Sequence, residues 1–169
     1  MTNDRLIAAS AGAAATLAAR AALTRALALK LRRDIAKLNA GDYRPLLRTF
    51  ADDARLVFND GDHRWAGEHR GRDAIERFFQ DFTTAGIRGE VKEVGLAGPL
   101  WALTLIVRFD DAVIGPDGEE LYRNRVAIVA RTRWGKIVRQ DDFFEDTNRI
   151  ANLDRRLMEL GVAPVGSAA

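Results

Sequence analysis

The apolar residues of this chain change their spacing near Glu90. Before that point they recur every three or four residues, as along the buried face of a helix; beyond it they alternate with polar residues, as in β-strands. Helices followed by strands form an α+β fold, because each layer must bury its apolar side against the other. The spacing therefore predicts an α+β fold in which a curved antiparallel sheet wraps round a long N-terminal helix to form a cone with an internal pocket.

The individual elements follow from the same spacing. The first long helix is predicted from about Ala22 to Asn39, where Gly41 ends it. A short strand over 54–58, a loop from Asn59 and a second helix over 74–83 come next. Three longer strands are predicted over 91–106 (interrupted at Gly98-Pro99), 121–134 and 136–144, and a closing helix carries Ile150, Leu153, Leu157 and Leu160.

A length of 169 residues suits one domain of ordinary size. We expect an Ala-rich N-terminal arm over 1–22, the α+β cone over 23–160 and a flexible tail over 161–169. The Ala-rich run is either a helical arm or a weak secretory signal, and the first interpretation makes the protein cytoplasmic.

Charge and composition exclude several classes of function. Lys and Arg number 26 against 24 Asp and Glu, so the net charge of +2 offers no strong field for a nucleic acid. The chain has no Cys and only two His, so we expect neither a metal nor a cofactor. No stretch of about 18 strongly apolar residues predicts a membrane span. Any chemistry must then use carboxylates, arginines, a hydroxyl or one histidine.

Four short motifs resemble the nuclear transport factor 2-like superfamily, most closely its SnoaL-like polyketide cyclase and ketosteroid isomerase branch. They are Leu38-Asn-Ala-Gly-Asp-Tyr, Phe50-Ala-Asp-Asp-Ala, Gly71-Arg-Asp-Ala-Ile and Lys136-Ile-Val-Arg-Gln-Asp-Asp-Phe-Phe-Glu-Asp. The resemblance covers about residues 24–160 and implies the cone fold already predicted. It leaves function open, because the superfamily includes isomerases, cyclases, dehydratases, epoxide hydrolases and domains without catalysis.

One catalytic branch, the limonene-epoxide hydrolases, resembles this chain in part. It implies catalytic roles for Arg108, Asp110 and Asp142: one carboxylate takes a proton from water, a protonated second one gives a proton to the epoxide oxygen, and the arginine orients both. The water-positioning Tyr and Asn of that branch fall at Leu56 and Phe58 here, so the motif is half present.

Two other branches match less well. The ketosteroid isomerase positions for the catalytic Asp, the oxyanion-holding Tyr and the protonated Asp fall near Phe58, Asp34 and Val129, and all three depart from the pattern. SnoaL-like cyclases use a His and an Asp, and the resemblance implies that His63 or Asp142 supplies one of them.

Strand alternation gives each candidate a second interpretation. Between Trp101 and Asp110 the odd positions are apolar, so Arg108 and Asp110 face either solvent or, if the apolar face is a dimer interface, the pocket. Asp34 lies at the margin of the apolar stripe of the first helix and either meets an arginine or faces the pocket.

The remaining ligand-binding candidates are residues expected to face or rim the pocket. Tyr122 and Asn124 would hydrogen-bond a ligand or serve structure alone, and Trp65 with His63 would rim the mouth. Phe58 belongs to the first strand, and Gln140 and Phe144 share the face of Asp142, our leading general base.

The sequence thus predicts a domain that binds a small, largely apolar molecule, with carboxylate-dependent hydrolase, lyase or cyclase chemistry as an option. The alternative is a non-catalytic ligand-binding or dimerisation module of the same fold. In either case we expect a homodimer formed through the uncovered face of the sheet.

Overall fold

The computed structural model describes the backbone of residues 2–166 and the side chains of residues 15–166. In chain order the elements are α1 (Thr2–Asn39), α2 (Arg44–Leu47), β1 (Phe50–Phe58), β2 (Gly67–Arg70), α3 (Gly71–Thr84), β3 (Arg88–Ala97), β4 (Thr104–Ile114), β5 (Glu120–Arg133), β6 (Lys136–Phe144) and α4 (Thr147–Glu159).

The six strands form one curved sheet in the order β2-β1-β6-β5-β4-β3. Neighbouring strands are antiparallel except β1 and β6, which are parallel. The α+β cone predicted from the spacing is confirmed, with the helices on the concave side of a mixed, mainly antiparallel sheet.

The sequence-based prediction was wrong about two strands. The stretch 91–106 is not one strand: β3 and β4 are separate antiparallel neighbours joined by a turn in which the Ala102 amide donates to the Pro99 carbonyl at 3.0 Å. Gly98 makes this reversal possible because its φ of +80° is one that L side chains rarely adopt. β2, in a region predicted as loop, pairs with β1 as an edge strand.

Helix α1 crosses the concave face and is fixed there at its C-terminal end. Its apolar stripe buries Ile35 and Leu38 against the sheet. The Asn39 amide side chain both donates to the Gly89 carbonyl and accepts from the Gly89 amide, each at 2.9 Å, which ties α1 to β3.

α1 is also longer than predicted, because the Ala-rich run continues the helix without a break at residue 22. Residues 15–19 are exposed, and the side chains of the rest of the expected arm lie outside the described residues. No helix within the described residues is both long enough and apolar enough to cross a lipid bilayer.

The segment after α4 is not free, contrary to the flexible tail expected over 161–169. The Val162 carbonyl accepts from Arg64 Nη2 at 2.7 Å, and the Val165 amide donates to Asp81 Oδ1 at 2.6 Å. The chain is therefore tied to the domain as far as Val165, and residues 167–169 lie outside the described part.

Candidate functional site

A cavity of about 230 Å³ lies between α1, α3 and the concave face of the sheet. It opens beside Lys30 and Gly135, both exposed, and is closed at the other end by buried residues such as Phe82 and Asp111. An engineered cavity of roughly 150 Å³ accepts benzene, so this one has room for a larger ring compound. Most of the wall is apolar: Leu27, Leu31, Ile35, Leu38, Leu46, Phe50, Phe58, Phe78, Phe79, Phe82, Val91, Leu103, Leu105, Val107, Phe109, Val126, Ile128, Ala130, Ile137 and Phe144.

Four of the predicted ligand-binding residues line this cavity: Asp34, Phe58, Gln140 and Phe144. Phe58 and Phe144 are in contact, with ring centroids 4.6 Å apart, and Phe78 joins them at 5.3 Å from Phe58. Gln140 lies on the same face of β6 as Phe144. The apolar wall is therefore aromatic near the middle of the sheet and carries one amide.

Asp142, the predicted general base, lines the cavity on β6. Burial raises the pKa of its carboxyl to about 7, and the hydrogen bond from Gln140 Nε2 to Oδ1, at 2.9 Å, lowers that pKa only in part. By its accessible surface Asp142 is half-buried, and it is one of the residues that line the cavity. No Lys, Arg or His among the described residues forms an ion pair with it. Asp142 is thus a carboxyl that holds or releases a proton near neutral pH.

A second carboxyl, Asp111 on β4, also lines the cavity and was missed from the sequence. It is 2% exposed, and burial raises its pKa to about 7, with the charge of Asp142 as a smaller contribution. The signal that could have found it is simple. The odd positions of the strand are apolar up to Phe109, and the next odd position is Asp111.

Phe109 lies between the two carboxyls on the concave face. In the strand register Asp111 pairs with Asn124, Phe109 with Val126, and Asp142 with Ile128. The ring packs over Gly89, where a Cβ would come within 1.7 Å of the ring Cζ, so glycine is needed for this arrangement. An aromatic ring, and not an arginine, therefore separates the two acids.

The catalytic arrangement expected for Arg108 and Asp110 is corrected by this geometry. Both side chains lie on the outer face of β4 and neither lines the cavity. Arg108 Nε pairs with Glu93 Oε1 at 3.4 Å, and Asp110 Oδ2 lies 3.6 Å from Lys92 Nζ. The bulge-free alternation of β4 from residue 104 to 113 puts them opposite Val107, Phe109 and Asp111, so they are surface ion pairs.

Of the two alternatives predicted for Asp34, the structure shows the position at the cavity wall, and the ionic partner is Lys30 rather than an arginine. Asp34 lines the cavity, and its Oδ2 accepts from Lys30 Nζ at 2.5 Å. Because Lys30 is largely exposed, this ion pair lies on the side of the cavity that opens to solvent. Asp34 is thus already paired.

His63 and Trp65 do not rim the mouth, which corrects the expectation for both. Trp65 is fully buried, and the Arg64 guanidinium lies 5.3 Å from its ring centroid. Arg64 Nε in turn pairs with Asp154 Oδ1 at 2.5 Å, which fixes the loop to α4. His63 is 9% exposed, burial lowers its pKa, and Nε2 lies 3.2 Å from Asn59 Nδ2. These residues anchor the loop to the closing helix, away from the cavity.

Tyr122 and Asn124 point inward as predicted but do not line the cavity. The Asn124 amide donates to the Asp146 carbonyl at 2.7 Å, and its oxygen accepts from the Arg125 amide at 3.0 Å, so Asn124 holds the junction of β6 and α4. Tyr122 lies beside Asp111, and its burial together with the Asp111 charge raises the pKa of the phenol far above its usual range.

Comparison with known proteins gives a family and a fold. The model of the SnoaL-like domain family matches residues 31–140. Bal32a, from a soil-derived mobile gene cassette, is 24% identical, with 78% of this chain and 96% of that one covered and a TM-score of 0.57. None of the curated proteins matches the sequence.

Two further solved structures are similar. An NTF2-like protein of unknown function from Burkholderia pseudomallei K96243 is 22% identical, with 75% of this chain and 95% of that chain covered and a TM-score of 0.59. TerC, co-crystallised with polyporic acid, is 18% identical over the same shares of the two chains, with a TM-score of 0.56. At these identities the likeness extends to the fold alone.

Proposed function

The chain belongs to the SnoaL-like domain family, and on that premise we propose that it binds a small, largely apolar molecule in the cavity and that Asp142 exchanges a proton with it. The family and the NTF2-like fold support a small-ligand-binding or isomerase-type domain. The observation that carries the finer proposal is Asp142 itself, a half-buried carboxyl with a raised pKa and without a cationic partner among the described residues, in a largely apolar wall.

The environment of Asp142 favours proton transfer over other roles. A general base works best when its pKa lies near the operating pH, and burial brings Asp142 there. As a carboxylate it would take a proton from a carbon next to a substrate carbonyl. In an isomerase-type reaction that proton would return to a second carbon; in a cyclase-type reaction the enolate carbon would bond to a second carbonyl carbon of the substrate, and Asp142 would return the proton to the oxygen of that carbonyl. Gln140 would hold the carboxyl in place through its hydrogen bond to Oδ1.

Epoxide hydrolysis is less well supported than carbonyl chemistry. The logic of that reaction requires an arginine that orients two carboxyls, and Phe109 occupies the position between them here. Arg108 is committed to Glu93 on the outer face. We therefore rank hydrolase chemistry below isomerase-type or cyclase-type chemistry.

The test is a turnover assay of Asp142→Asn with Asp141→Asn as the matched control. Asp141 is the neighbouring carboxyl, faces outward and pairs with Arg139 at 2.5 Å. The panel contains steroid-like and polyketide-like ketones, epoxides and polyporic acid. Any turnover should fall by about a hundredfold or more in Asp142→Asn, as expected for loss of a general base, and persist in Asp141→Asn. Equal activity of the two variants would show that Asp142 is not the general base.

A second candidate function, a dimerisation module without catalysis, is favoured by the outer face of the sheet. Ile106 and Phe143 are 49% and 59% exposed there, and the register places their partners Val129 and Ala127 side by side on β5. A specific dimer would bury at least about 1,000 Å² in total. Sedimentation should show a dimer that Phe143→Lys dissociates; a monomer at micromolar concentration would contradict it.

The cytoplasmic location stays a prediction.

A further inference from the structure

Asp111, at the closed end of the cavity, and Tyr122, behind the cavity wall, both have polar atoms that lack a hydrogen-bond partner of standard geometry among the described residues. Asp111 Oδ1 and the Tyr122 hydroxyl are both fully buried and lack a hydrogen-bond partner within the described part of the chain. The phenol is close enough to Asp111 to act as a hydrogen-bond donor toward the carboxyl, which lowers the pKa of Asp111 in part. Leaving a buried polar group unsatisfied typically costs about 1–3 kcal/mol, so a second partner is expected.

Two neighbours of Asp111 differ from it in their partners and in where their side chains point. Asn124, the register partner of Asp111, is fully buried and uses both ends of its amide in hydrogen bonds. Asp110, one residue away on the same strand, has Lys92 Nζ 3.6 Å from its Oδ2, although its Oδ1 is also buried without a hydrogen-bond partner among the described residues. Asp111 alone of the three is directed into the cavity, where a molecule could meet it.

The two polar positions of the cavity are separated by an apolar middle. Their paired residues on β5, Asn124 and Ile128, are four residues apart, which is roughly 13 Å along a strand. Between them Phe109, Val126 and Phe144 form one row across β4, β5 and β6. A ligand that fills this space meets Gln140 and Asp142 first, then an apolar section, then Asp111.

We propose that Asp111 is a ligand contact at the closed end, positioned by Tyr122, and that the ligand carries an oxygen function at each end of a rigid apolar body. This inference rests on the proposed function, because it concerns the same cavity. A hydroxyl at the inner end would donate to Asp111, while the outer oxygen would meet Gln140 and Asp142. Tyr122, one same-face position beyond Asn124, is a positioning residue rather than a contact.

The experiment compares matched compounds with one and two hydroxyls by isothermal titration calorimetry at neutral pH. The pairs are 2-naphthol with 2,6-dihydroxynaphthalene, and 4-hydroxybiphenyl with 4,4′-dihydroxybiphenyl, so that two lengths are sampled. At least one diol should bind the wild-type chain about five- to tenfold more tightly than its mono-ol, which is the size expected of one hydrogen bond in a buried site.

The variants assign that gain to Asp111. Asp111→Ala should abolish the preference for the diol while the mono-ol affinity stays within about twofold. Tyr122→Phe should reduce the preference in part, and Asp110→Ala, the outward-facing control, should leave it unchanged. Mono-ol affinity retained in Asp111→Ala also shows that the variant is folded.

The failure of this inference is distinguishable from failure of the proposed function. If mono-ols and diols bind the wild type equally, ordered water satisfies Asp111 and the inference is overturned while the apolar site stands. The same holds if Asp111→Ala keeps the preference. If none of the four compounds binds, the proposed ligand site itself is contradicted, and this inference with it.

Discussion

Two Asp-Asp pairs, on the strands that flank β5, show how strand geometry gives identical residues different surroundings. In Asp110-Asp111 on β4 and Asp141-Asp142 on β6, one carboxyl faces outward and the other faces the cavity. The outward members have cationic partners, Lys92 for Asp110 and Arg139 for Asp141. The inward members have none among the described residues, and burial raises the pKa of each to about 7.

The difference shows which carboxyls lower the stability of the folded protein when they are ionised. An outward pair in solvent contributes little to stability, because its charges are hydrated with or without the partner. A buried unpaired carboxyl is costly when ionised and is retained in natural proteins mainly where chemistry or binding uses it. Under the proposed function the concave face binds the ligand, and the outer face carries solvent-accessible ion pairs.

The largest expected effect is on the pH dependence of stability. Because the folded-state pKa of Asp111 and Asp142 lies above the ordinary value of about 3.9, the folded state binds more protons between these values, and stability falls as pH rises from about 4 to about 7. At about 1.4 kcal/mol per pKa unit, the two groups together should lower the free energy of unfolding by several kcal/mol.

Urea denaturation of the wild type and of the double variant Asp111→Asn/Asp142→Asn isolates this contribution. The two proteins should have similar stability near pH 4.5, and the double variant should become increasingly more stable toward pH 8. The double variant Asp110→Asn/Asp141→Asn controls for the number of charges removed. A constant difference between wild type and the inward double variant at all pH values would contradict the account.

A smaller effect is expected for single substitutions at pH 8. Asp111→Asn should raise the free energy of unfolding by about 2 kcal/mol, which corresponds to roughly 4–8 °C in Tm for a chain of this size. Asp110→Asn should change it by less than about 1 kcal/mol. Thermal melts of the two variants side by side check this, and a destabilised Asp111→Asn would show that the carboxyl has a partner in the folded protein.

The smallest effect is expected on the outer face. Arg139→Ala removes the partner of Asp141, and both side chains have access to solvent. The free energy of unfolding should therefore fall by less than about 1 kcal/mol, and by still less in about 1 M NaCl. A loss of about 3 kcal/mol would mean that this face is covered, as in a dimer.

The fold could be predicted because periodicity and turn residues specify it locally. The helical spacing before Glu90 and the alternation after it were sufficient to predict a layer of helices packed on a sheet. The division of 91–106 into β3 and β4 was not predicted, although Gly98-Pro99 marked the interruption, because the strand pairing depends on residues far apart in sequence. The α1 helix was predicted too short because its Ala-rich start was separated from the domain as an arm.

The site was predicted in part for similar reasons. Alternation identified the face of Asp142 but could not say which face of β4 is concave. The resemblance to limonene-epoxide hydrolases implied Arg108 and Asp110, and Asp111 was missed. Following the odd, apolar positions of this strand one position beyond Phe109 would have identified Asp111 as facing the same side. The positions of His63 and Trp65 depend on the Arg64–Asp154 ion pair, whose residues are 90 positions apart, and no local pattern carries that information.

The central claim is that two inward-facing aspartates titrate near neutral pH, and carbon-detected NMR of ¹³C-aspartate-labelled protein tests it most directly. The side-chain carboxyl resonances are followed from pH 3 to 9, and the Asp111→Asn and Asp142→Asn variants assign two of them by their absence. The account predicts that both assigned resonances titrate with midpoints of about 7. Midpoints near the ordinary value of about 3.9 for both would contradict it.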